Sequence, residues 1–288
     1  MSTSISRRTF VVRSIVAGTA LAIGHRFRIG AFAIGVCGSV DDHALFADSG
    51  YAYIEPTVQR FLMPEQPVSA FEQKLKILEA SKLPVPVANQ FLPGPLKVVG
   101  PDMNLDAVLT YAETAFSRAQ RVGIEHIVFG SGGARHIPTG FPKEAAYGQI
   151  TEVLQAMGPL AATYGITLCL EPLRHQETNF LNTVPEMMEI VNGVNHPAVQ
   201  LTFDIYHVTQ EGRSASDVAL AGASIRHCHV AEDTDRAAPG VHGDDFTAWF
   251  QALDAIGYTG RVSVECRWQD RLHELPRAVV ALTRQMGK

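Results

Sequence analysis

Four polar side chains stand where apolar runs stop. Glu171 closes ITLCLE, Asp204 closes VQLTFD, His229 lies near the end of IRHCHV, and Glu265 closes RVSVE. Each run reads as a short buried strand, and Pro172, which has no N–H to give a ladder, ends the first of them. A carboxylate left unpaired at the end of a buried strand is costly or is forced neutral, so Glu171 must meet a cation or a cluster of donors. Asp204, His229 and Glu265, repeated at the ends of three later strands, are the candidates to meet it.

The elements that must carry these residues alternate regularly. From Ile29 onward the strands are AFAIGVCG, GYAYIEP, LPVPVANQ, IEHIVFG, ITLCLE, VQLTFD, SIRHCHV and GRVSVE. Helical spacing falls between them, as in Phe71, Leu75 and Leu78 of residues 68–81 and in residues 105–122, which Gly123 ends. Further helices are expected at residues 41–47, 143–164, 184–194, 214–221, 246–256 and 272–286. Eight strand–helix units force parallel pairing, and a parallel sheet needs both faces covered. Polar residues at the C-terminal ends of strands five to eight favour a (β/α)8 TIM barrel, which builds its sites there. A doubly wound sheet would carry a phosphate fingerprint after its first strand, and GVCGSVDD matches it poorly.

With 288 residues, 46% hydrophobic and 18% charged, one barrel accounts for nearly the whole chain. The division is a leader at 1–28 and a single catalytic domain at 29–288. The leader carries Arg7 and Arg8 in an SRRTF context, then an apolar run from Ile15 to Ile23 too short to span a bilayer. It resembles a twin-arginine signal and implies periplasmic or other export by the twin-arginine machinery; read instead as a basic leader, it leaves the protein cytoplasmic. Removing it leaves 19 basic against 29 acidic residues, a formal charge of −10. Such a body repels phosphate backbones, which argues against nucleic acid as a partner. Cys37, Cys169, Cys228 and Cys266 are scattered singly in apolar segments and read as free thiols.

LEPLRHQETNFLNT, FDIYH, HCHVAEDTDRAAPG and VSVECRW together resemble the sugar phosphate isomerase/epimerase family, the xylose isomerase-like barrels that include ketose 3-epimerases, hydroxypyruvate isomerase and inosose dehydratase. The resemblance implies one divalent metal held by Glu171, Asp204, His229 and Glu265, with Glu171 and Glu265 catalytic. It also implies substrate contacts from Glu177, His207 and Arg236. The sequence departs from the epimerases in a TDRAAPG loop one residue longer and in RHQ where they often have NRF, both near the substrate. The donor set agrees with the resemblance: three carboxylates and an imidazole suit Mn, Mg or Co better than a closed tetrahedral Zn site. Such an ion chelates the oxygens of a hydroxyketone and stabilises the enediolate left when the α proton departs.

The function expected is therefore a metal-dependent isomerase or epimerase of a small keto sugar or keto polyol, with a homo-oligomer possible. The alternatives are a lyase or dehydratase on the same scaffold and a non-catalytic periplasmic sugar-binding protein. Elsewhere, His227 shares the side of His229 by strand alternation and is expected to be a packed interior residue. FGSGGAR reads as a tight strand–helix loop rather than an anion cradle, and Phe246, Trp249 and Phe250 read as core.

Overall fold

The computed structural model describes residues 32–287, so the leader at 1–28 lies outside the described residues. Eight strands run parallel: β1 (Ala33–Cys37), β2 (Tyr53–Glu55), β3 (Val87–Ala88), β4 (His126–Phe129), β5 (Thr167–Leu170), β6 (Val199–Asp204), β7 (Ile225–Val230) and β8 (Arg261–Val264). Their order, β2-β1-β8-β7-β6-β5-β4-β3, is that of a barrel opened at one seam. The seam between β2 and β3 is closed just beyond the strands, where Val58 N donates to Asn89 O at 2.8 Å and Asn89 N to Pro56 O at 3.1 Å. The fold is thus a nearly closed TIM barrel.

The third strand is shorter than LPVPVANQ suggests. Pro84 and Pro86 have no N–H, so only Val87 and Ala88 enter the ladder. The proline carbonyls still accept, from Ile54 N at 3.0 Å and from Glu125 N at 2.8 Å.

Helix signals are met locally. Leu105–Val122 starts on Asn104, whose Oδ1 accepts from Ala107 N at 3.0 Å, and stops on Gly123 at φ 79°. Its Val108, Tyr111, Ala112, Ala115, Phe116 and Ala119 face the sheet and are buried. Val184–Val194 opens on a capping box between Thr183 and Glu186. FGSGGAR, the tight loop after β4, holds a single helical turn, Gly132–Arg135. Phe246 and Phe250 are buried core residues, and Trp249 packs against Phe203 with ring centroids 5.9 Å apart.

Inside the barrel, Tyr53 lies across Gly35, where an added Cβ would meet the tyrosine ring at 2.1 Å. A side chain there would push Tyr53 off the axis. All four cysteines are free thiols; Cys169 and Cys228 are buried, Cys37 and Cys266 half-buried.

Candidate functional site

Register delivers the four strand-end residues to one rim. Asp204 is the last residue of β6 and pairs across to His229 of β7; Glu171 and Glu265 follow β5 and β8 directly. One ligand atom from each of Glu171, Asp204, His229 and Glu265 lies within 4.8 Å of the others. His229 stands at the centre. Its Nδ1 is 2.8 Å from Glu171 Oε1, 3.2 Å from Glu265 Oε2 and 3.8 Å from Asp204 Oδ2.

Asp204 is the informative member. Its Oδ1 accepts from His207 N at 3.1 Å, which caps the short helix Ile205–Gln210. Its Oδ2 is buried and has no hydrogen-bond partner. Around that oxygen, Arg236 NH2 and His207 Nε2 stand at 3.6 Å, too far to bond it. A buried carboxylate oxygen without a donor is expensive, and three acids with one imidazole are hard, oxygen-rich ligands. The residues fit a divalent cation.

Behind His229 the arrangement is different. Its Nε2 donates to Glu55 Oε1 at 2.8 Å, while Glu55 Oε2 accepts from His227 Nε2 at 2.7 Å and Ser263 Oγ at 2.5 Å. Tyr53 OH continues the chain to Ser263 Oγ at 2.8 Å. Glu55, at the end of β2, is wholly buried, and His227 is packed and hydrogen-bonded beside His229, rings edge to face at 4.9 Å. The carboxylate fixes the imidazole with its Nε2–H turned inward and Nδ1 turned to the acids, the orientation a metal-binding histidine needs. Glu55 was legible only as another acid closing a strand before a proline, Pro56, on a strand far from the other three.

Burial alone pushes the Glu55 carboxyl up, but the two imidazoles outweigh it and hold it well below the usual range. Burial lowers His229, yet Glu55 and Glu265 together raise it well above an ordinary imidazole. Burial raises Glu171 despite its bond to His229. Glu265 is also pushed up by burial, and Arg236 and His229 more than reverse this and keep it ionised. An ion seated here would replace the Nδ1 proton and hold every carboxylate charged.

The substrate-facing residues surround this centre. Arg236 NH2 bonds Glu265 Oε2 at 2.6 Å, and its guanidinium lies over the Tyr206 ring at 4.8 Å. Asp235 and Arg236 both have left-handed backbones, φ 60° and 52°. The TDRAAPG loop is turned there, at a strain on the order of 1–3 kcal/mol per residue, and aims Arg236 at the site. His207 is buried, with Nδ1 accepting from Arg174 N at 3.3 Å. Glu177 is exposed at the mouth, bonded by Arg174 Nε at 3.0 Å and 3.6 Å from Arg236 NH1. Glu171, Glu177, His207, Arg236 and Glu265 line one cavity of roughly 240 Å3.

Two further features shape it. Gly130 of FGSGGAR is tight against the site, since an added Cβ would meet Glu171 Oε2 at 2.3 Å. The loop after β7 is gathered by Glu232, whose carboxylate accepts from the backbone N–H of Gly240, His242, Gly243 and Asp244. His242 itself is exposed.

Residues 44–285 match the model of the xylose isomerase-like TIM barrel. The chain belongs to this family. It is 34% identical over 113 residues to L-ribulose 3-epimerase of Methylomonas sp., covering 39% of each chain. It is 33% identical over 144 residues to a putative hydroxypyruvate isomerase of Mus musculus, covering 46% of this chain and 52% of that one. Ketose 3-epimerases and inosose isomerases are among its other relatives. The aligned stretches span about half, or less, of these curated relatives. The crystal structure of 3-keto-D-glucoside 4-epimerase from E. coli superposes with a TM-score of 0.74 at 20% identity, over 88% of this chain and 99% of that one, a likeness of fold.

Proposed function

We propose that the protein is a divalent-metal-dependent isomerase or epimerase of a small keto sugar or keto polyol. The observation that carries this reading is Asp204 Oδ2, without a hydrogen-bond donor, among ligand atoms of Glu171, His229 and Glu265. These four residues would hold one Mn, Mg or Co ion, which when bound polarises neighbouring carbonyl and hydroxyl oxygens and acidifies the adjacent C–H.

The chain's own residues supply the rest. Glu171 and Glu265 reach the cavity from different strands, on either side of the His229 ring nitrogen. A proton taken from one side of a carbon by one carboxylate can be returned on the other side by its partner, which inverts that centre; return to the neighbouring carbon isomerises instead. Arg236, His207 and Glu177 orient the hydroxyls, and the buried Tyr53–Ser263–Glu55 chain keeps His229 from turning. Relatives named as ketose epimerases and hydroxypyruvate isomerase support a substrate of this class.

The test is solvent exchange. Metal-loaded protein is incubated with ketoses and keto-inositols in D2O and followed by NMR, with Glu265→Gln as control. Deuterium at a carbon next to the carbonyl, absent in the control, is the expected result. Saturable binding without any exchange would overturn the catalytic reading. Export through the twin-arginine route belongs to the same proposal and is checked by the N-terminus of periplasmic protein; an intact Met1 would refute it.

A further inference from the structure

The cavity over Glu171 does not end at Glu265. A second chamber of roughly 260 Å3 opens on the far side of Asn89, Gln90, Arg236 and Glu265, which line both. Its other walls are Cys37 at the end of β1 and Gly38 after it, Thr57 after β2, and Cys266 and Arg267 after β8. It therefore lies at the C-terminal rim, where Thr57 and Asn89 bridge the seam between β2 and β3. The divide between the chambers is held firmly. Asn89 is tied through its backbone to Pro56 and Val58, its Nδ2 donates to Glu265 Oε1 at 3.3 Å, and Gln90, left-handed at φ 49°, has its carbonyl held by Gln59 Nε2 at 2.9 Å.

Each chamber is smaller than the roughly 300–1,000 Å3 usual for a drug-sized ligand, while the pair falls within that range. The second chamber offers a hydroxyl, two amides and two thiols. Of its charges, Arg236 is matched by Glu265, and Arg267 has an exposed side chain. A phosphate or carboxylate would find no buried, unmatched cation there, whereas hydroxyls would find donors and acceptors. We infer that the substrate is a keto sugar extended by a second, uncharged sugar ring: a glycoside or disaccharide, with the reacting ring over Glu171 and Glu265 and the second ring in the chamber beyond Asn89. This rests on the sugar isomerase or epimerase reading above.

Calorimetric binding to the Mn-loaded full-length protein separates the possibilities. The probes are D-fructose, keto-disaccharides joined at different fructose hydroxyls (turanose, lactulose, leucrose), and fructose 6-phosphate. At least one disaccharide is expected to bind more than about tenfold tighter than fructose. Cys266→Trp, which fills the second chamber, should erase that advantage and leave fructose affinity within about twofold. Disaccharides binding no better than fructose would overturn the inference while leaving the isomerase reading intact. So would tightest binding of the phosphate ester, lost in Arg267→Ala. Binding of no sugar would overturn both.

Discussion

His229 has acids on two sides, and the two sides are finished differently. Behind the ring, each oxygen of Glu55 has a donor, from His227, His229 and Ser263. In front, Asp204 Oδ2 has none, although Glu171 bonds the His229 imidazole and Glu265 bonds Arg236 and Asn89. Both sides set carboxylate against imidazole, so the presence of an acid does not separate them. Saturation does: a satisfied carboxylate is scaffolding, and one left short of donors awaits a ligand.

The sharpest way to break this contrast is at the front. Glu265→Gln keeps the shape and removes a proton acceptor, so kcat is expected to fall about 10²–10⁴-fold, read as loss of substrate deuteration. Asp204→Ala removes the unsatisfied oxygen; metal affinity by calorimetry should drop more than about 100-fold, above the loss typical of an outer-shell change, while the barrel stays folded by circular dichroism. Glu55→Gln, behind the ring, should weaken metal binding by about 10–100-fold only, since it disturbs orientation and touches no ion. Equal losses at Asp204 and Glu55 would refute the distinction.

The remotest effect lies at the far end of the barrel. His126, at the start of β4, has its Nδ1 buried without a partner, and burial lowers its pKa to about 4. Its folded pKa is below the unfolded one, so the unfolded chain takes up the proton first. Stability should therefore fall as pH drops from about 6.5 toward 4, by about 2–3 kcal/mol from this group. His126→Gln should flatten that part of a thermal-denaturation pH profile.

What the sequence showed, and what it hid, follows from the kind of signal each residue leaves. Glu171, Asp204 and Glu265 were legible because a charge that ends an apolar run is locally anomalous. Glu55 leaves the same mark, but its partners His227 and Ser263 sit 172 and 208 residues away, and only barrel closure brings them together. Asn89 and the second chamber left none, because β3 is two residues long and the chamber's walls come from the ends of β1, β2 and β8, far apart in the chain. The eight-strand count was readable from periodicity, whereas the truncation of the third strand came from prolines whose carbonyls still bond. Arg236 was placed by motif spacing, and only the left-handed backbone at Asp235 and Arg236 shows how the loop turns it to the site.

Glu232 has a consequence for how this protein can change over generations. It holds the loop after β7 through four main-chain amides, so the loop's shape depends little on which side chains those residues carry, apart from Gly240 and Gly243 at φ 94° and 92° and Asp244, whose Oδ2 accepts from Asp233 N at 2.7 Å. The exposed His242 is therefore free to mutate without cost to the barrel. A population could explore new side chains at this rim one substitution at a time, with the scaffold's stability held separate from the trial.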